Sequence, residues 1–110
     1  MADIVNSVPG NRNQSVAGSD MLTVSGDLKL NVGKDSSQVT AMRRTVRVGK
    51  TLSIQVGDMV EIVVGDARLV MKKDGSITLS GKDIVISGSG DIQCKASKNL
   101  VLKGSKVGEN

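Results

Sequence analysis

One pattern returns every eight residues in this chain, and it limits the fold more than any other feature. The pattern is plainest from Val46 to Asp66, VRVGKTLSIQVGDMVEIVVGD, where Val46/Val48, Ile54/Val56 and Ile62/Val64 are each followed by Gly49, Gly57 or Gly65. Apolar residues two apart have the period of a strand, not the 3.6-residue period of a helix. A glycine after each pair predicts a corner, where positive φ or close backbone approach is needed. Each octad therefore reads as one short strand and one corner.

The valine series runs through Val8, Val16, Val24, Val32, Thr40, Val48, Val56 and Val64, with firm pairs from Leu22/Val24 and Leu30/Val32 onward. Only Thr40 interrupts it, and its partner slot holds Gln38, with Arg43, Arg44 and Arg47 nearby. Either the strand slips locally to bring Val39 inward, or a polar layer lies inside, hydrated or holding an ion. The polar layer is the favoured reading, with hydrogen-bond partners supplied by symmetry-related copies. After Val64 the spacing shortens, giving Leu69/Met71, Ile77/Leu79, Ile84/Ile86, Ile92/Cys94 and Leu100/Leu102, and Val107 closes the series. Asp74-Gly75, Ser80-Gly81, Gly88-Ser89-Gly90 and Gly104 mark turns between these strands. No segment reads as helix.

Three regions follow: a polar segment over 1–20, read as a linker or a weak start of the repeat; a continuous repeat over 21–107; and a frayed tail over 108–110. The 110 residues include no Phe, Trp, Tyr or His, so the core is thin and aliphatic. With 38% apolar residues and β-branched periodicity the composition is not that of a disordered chain.

An octad does not stand alone. Ordering eight residues costs about 8 to 16 kcal/mol, whereas burying two aliphatic side chains returns roughly 3 to 6 kcal/mol. Stability has to come from stacking strand on strand. Eight residues are too few to close a coil, so each octad forms one side of a prism, and three sides close a triangle. The sides come either from one chain, as a solenoid, or from three intertwined chains. The lack of a visible capping element favours three chains.

Other chemistries find little support. The net charge of +4 is spread between the apolar pairs and reads as a solvated outer face; without aromatic residues to stack bases, nucleic-acid binding is not expected. Gly49-Lys50-Thr51 resembles the end of a phosphate loop, but Arg44 stands where its first glycine belongs and strand follows it. Gly26-Asp27, Gly57-Asp58, Gly65-Asp66 and Gly90-Asp91 have corner spacing rather than that of calcium-binding nonapeptides. Cys94, the lone cysteine, takes an inward slot as a small hydrophobe. No catalytic constellation, metal site or cofactor site is expected, nor is a membrane span or cleaved secretion signal.

The Val-Gly octads followed by GSITLSGKDIVISGSGDIQCKASKNLVLKGSKV, Gly75 to Val107, resemble the C-terminal β-helix of the valine-glycine-repeat (VgrG) spike proteins of bacterial type VI secretion systems. The resemblance covers about residues 20–110, and Ile77 to Val107 is its most specific part. It implies an all-β, intertwined, homotrimeric triple-stranded β-helix. Its trimer core would comprise Leu22, Val24, Leu30, Val32, Val46, Val48, Ile54, Val56, Ile62, Val64, Leu69, Met71, Ile77, Leu79, Ile84, Ile86, Ile92, Cys94, Leu100 and Leu102.

The implied function is that of a needle driven out by sheath contraction, which pierces the envelope of a target cell and carries effectors. A PAAR-type tip protein would dock on Leu102, Lys103, Gly104, Ser105, Lys106 and Val107, beside Leu100. Base domains and a tube protein would be joined through an N-terminal region not contained in these residues. The implied location is the bacterial cytoplasm before firing and the target cell afterwards. Needles of contractile phage or pyocin tails are the alternative; the iron-bearing apex of some phage needles uses histidines, which this chain lacks.

Overall fold

A computed structural model describes residues 3–108. The chain is all-β: three strands and no helix occur among the described residues. β1 (Met59–Val64), β2 (Ala67–Lys72) and β3 (Ile77–Ser80) form one antiparallel sheet in the order β1-β2-β3.

Local sequence explains this sheet. Each strand keeps an apolar residue at every second position, and each connection carries a glycine in the left-handed region. Val64 pairs with Ala67, leaving Gly65 and Asp66 as a two-residue loop, and Gly65 has φ 53°. Positive φ at the first loop position suits the right-handed twist of a tight hairpin. In the second connection Gly75 has φ 94°, its N–H donates to the Lys72 carbonyl (3.1 Å), and Lys72 N–H donates to the Ser76 carbonyl (3.0 Å). Asp74 Oδ1 accepts the Ser76 N–H at 3.0 Å, which fixes the loop from its side chain.

The register sorts the sheet into two faces. Val60, Ile62, Val64, Ala67, Leu69, Met71, Ile77 and Leu79 share one, with Ile62 opposite Leu69 and Leu69 opposite Leu79. The other is mixed, with Met59, Glu61, Val63, Arg68, Lys72, Thr78 and Ser80 around Val70, the buried hydrophobic residue among those described. The apolar face remains open: Val60 and Leu69 are half-buried and the others are exposed.

Outside the sheet the backbone bends at regular intervals. In the unit Met1–Val46 the bends fall at Pro9-Gly10, Ala17-Gly18, Ser25-Gly26, Gly33-Lys34 and Ala41-Met42. In the unit Arg47–Asn110 they fall at Gly49-Lys50 and Gly57-Asp58, then after the sheet at Lys82-Asp83, Ser89-Gly90, Ser97-Lys98 and Ser105. Up to residue 58 the interval is eight residues throughout, so the corners stand where the glycine series places them, and the glycine-free octad bends on schedule at Ala41-Met42.

The left-handed conformation expected at the corner glycines is confined to the connections of the sheet. Positive φ occurs among them only at Gly65 and Gly75. At Gly10, Gly18, Gly26, Gly33, Gly49 and Gly57 an added Cβ would meet nothing within 4 Å of its own chain. Neither backbone conformation nor intrachain crowding accounts for glycine at those corners.

Among the described residues, all backbone-to-backbone hydrogen bonds lie within 58–80. The chain exposes 12439 Å². A folded monomer of 11.4 kDa would expose about 5,800 Å² and a fully extended one about 16,500 Å². The chain by itself has therefore hidden little of its apolar surface. Of the tail predicted to fray, Gly108 is exposed, and Glu109 and Asn110 lie outside the described residues, as do Met1 and Ala2.

Candidate interaction surface

Two successive bends leave a run of six residues between them, and β1 shows what such a run presents. Val60, Ile62 and Val64 share its apolar face. The same three alternate places hold Arg12/Gln14/Val16, Asp20/Leu22/Val24, Leu28/Leu30/Val32, Ser36/Gln38/Thr40, Arg44/Val46/Val48 and Leu52/Ile54/Val56 in the six runs between residues 11 and 56. The octad thus has a third alternate place on the same side of its run, which a reading in pairs overlooks. Its signal is present in the sequence as an apolar residue, Leu28, Leu52 or Val60, two positions before a pair.

Every predicted core position except the half-buried Leu69 is exposed in the single chain. The exposure is large where the side chain is large: Leu30 is 82% exposed, Ile54 71% and Leu102 76%. The sheet brings Ile62, Leu69 and Leu79 into one row and Met71 and Ile77 into the next. An open groove of about 330 Å³ is lined by Ile54, Val56, Met59, Val60 and Met71 together with Gln55, Asp58, Lys72 and Lys73. Leu22, Val24, Leu30, Val32, Ile84, Ile86, Ile92, Cys94 and Leu100 take no part in the sheet or that groove. The predicted docking positions Leu102 to Val107 are all exposed, with a bend at Ser105 and no backbone hydrogen bond within the chain.

The polar octad has a partner that the sequence does not disclose. Arg44 Nη1 donates a hydrogen bond to Gln38 Oε1 across the bend at Ala41-Met42. Alternation places Ser36, Gln38 and Thr40 on one side of their run, and Arg44 on the same side of the next run as Val46. Arg12 Nη2 donates likewise to Gln14 Oε1, at 3.1 Å.

The remaining electrostatics are those of a surface. Arg68 Nη2 lies 3.2 Å from Glu61 Oε2 on the polar face of the sheet, and Lys73 Nζ lies 3.6 Å from Asp58 Oδ1. Pairs this exposed contribute at most about 1 kcal/mol. The Ser76 backbone N–H, assisted by the Ser76 hydroxyl, holds the Asp74 carboxyl below its ordinary value. No group of His, Cys, Asp and Glu suited to a metal ion occurs among the described residues. Among the described residues the arrangement offers exposed apolar positions, with no backbone-to-backbone hydrogen bond outside 58–80. No protein-family model matches the chain, and no match is found among curated proteins.

Proposed function

We propose that this chain is one strand system of an intertwined homotrimeric β-helix, the needle of a spike resembling the VgrG spikes of type VI secretion. The observation that carries this reading is the eightfold series of bends maintained with no backbone hydrogen bond inside the chain over residues 3–57. Ordering so many residues costs on the order of 1 to 2 kcal/mol each, and the single chain offers almost no burial against that cost. Stabilisation then has to come from other copies. Three chains supply the runs outside the β1–β3 sheet with strands above and below them and close the apolar rows around an axis. They leave no free lateral edge.

An added Cβ at Gly10, Gly18, Gly26, Gly33, Gly49 or Gly57 would meet nothing in its own chain, so in an intertwined needle any crowding at those corners would come from a neighbouring copy. Such a needle is mechanical, and rigidity is its activity. It transmits the push of a contracting sheath through the target envelope, presents Leu102 to Val107 to a PAAR-type tip protein, and carries effectors; its base joins the tube.

The test is export. In a bacterium encoding this chain, the account expects its appearance in the medium and in neighbouring cells only while the contractile sheath operates. Release that is indifferent to sheath disruption would overturn it.

A further inference from the structure

Among the inward places from Leu28 to Val64 there is a single charged residue, Arg44. The others are aliphatic except for Ser36, Gln38 and Thr40. The nearby carboxylates of Asp27, Asp35 and Glu61 fall on the opposite parity, and Asp58 sits at a corner. No ion pair to Arg44 occurs among the described residues. Its contact is instead the Gln38 amide oxygen, which draws the guanidinium toward the polar layer. Arg12 differs: Asp20 takes the equivalent place one octad later.

In a threefold needle, three Arg44 guanidiniums then lie around one axis with no acidic side chain at the inward places from Leu28 to Val64, Asp20 standing three octads away. Three like charges in a water-poor interior are strongly unfavourable unless neutralised. Gln38 satisfies one N–H of each guanidinium but supplies no negative charge. Ser36 and Thr40 add hydroxyl donors to the same layer. A tetrahedral oxyanion has a threefold axis of its own, so it presents three equivalent oxygens to three equivalent arginines, each a rigid fork of donors suited to it.

We propose that the layer formed by Ser36, Gln38, Thr40 and Arg44 binds one divalent tetrahedral oxyanion, of the phosphate or sulfate class, on the axis of the trimer. This rests on the trimeric reading above. Because only in-register chains place three Arg44 around one ion, the bound anion favours the trimer in that register.

The test is refolding from denaturant at fixed ionic strength into chloride alone, or with millimolar sodium sulfate or phosphate, followed by thermal unfolding and sedimentation equilibrium. Millimolar concentrations keep the general salting effect of sulfate small. The expected result is a saturable rise in midpoint and in yield of 34.2 kDa trimer, three times 11.4 kDa, at one anion per trimer by calorimetry. Arg44→Gln, or Arg44→Met if that variant assembles poorly, loses the rise, while Arg47→Gln, of outward parity, keeps it. A 34.2 kDa trimer that responds equally to chloride and sulfate, or an Arg44→Gln variant that keeps the rise, overturns the anion site and leaves the needle standing. A folded 11.4 kDa species overturns both.

Discussion

Replacing Ile62 by Asp separates a needle from a single chain by magnitude. Ile62 lies opposite Leu69 on the apolar face and is 55% exposed in the single chain. Full burial of an isoleucine side chain stabilises by about 1.5 to 3 kcal/mol, so a lone chain realises less than half of that. Asp at this position in a lone chain keeps its hydration and costs about 1 kcal/mol. In the trimer three isoleucines lose full burial together, about 4.5 to 9 kcal/mol. Three carboxylates are also brought to one layer, at several kcal/mol per ion.

The pH dependence follows with a definite sign. Burial and like charges raise the folded-state pKa of the introduced Asp above its unfolded value of about 3.9. The ionisation penalty is then full above the folded pKa, is relieved as pH falls through it, and is absent below the unfolded value. Thermal unfolding followed by circular dichroism, with solution mass in parallel, checks both parts. The expected result is a loss of trimer or a large fall in midpoint at pH 7, partly recovered on acidification toward pH 4 relative to the parent chain. A variant unfolding within about 1 kcal/mol of the parent, with no dependence on pH of its own, refutes the inward placement.

Three further perturbations address separate features. Gly65→Ala puts a side chain at φ 53° and is expected to destabilise by about 1 kcal/mol in denaturant unfolding; no loss would mean that the β1–β2 loop does not need the left-handed conformation. Asp74→Ala removes the acceptor of the Ser76 N–H. Because the folded pKa of Asp74 is lowered, its contribution is present above the ordinary value of 3.8 and lost as pH falls through the folded value. Parent and variant should therefore converge in acid, and a difference unchanged by pH would remove the carboxylate from the account. Cys94 is exposed in the single chain and inward in the needle, so a maleimide should label it slowly in the native protein and rapidly in denaturant. Equal rates would place it outside the core.

The sequence made the period legible because a bend every eight residues needs no knowledge of the partner strand. Val56-Gly57 and Val48-Gly49 mark both the strand and its end, and the bends at Gly49-Lys50 and Gly57-Asp58 follow. Pairing was less accessible. Alternation in Ile62/Val64 and Leu69/Met71 says which residues share a face, but not that Ile62 stands opposite Leu69 on an antiparallel neighbour in the same chain. That depends on the left-handed glycine at Gly65, whose neighbour Asp66 reads equally well as one more octad corner. The first alternate place of each run, apolar at Leu28, Leu52 and Val60 but Arg12, Asp20, Ser36 and Arg44 elsewhere, is concealed by counting only the pair before each glycine. The Arg44 to Gln38 hydrogen bond was not legible, because it crosses a bend and joins neighbouring runs.

The central claim is that the apolar rows are closed by two further copies of the same chain. Sedimentation equilibrium of the folded protein tests it without any variant. The account predicts a single species of 34.2 kDa, three times the 11.4 kDa chain. A stable, folded species of 11.4 kDa would contradict it.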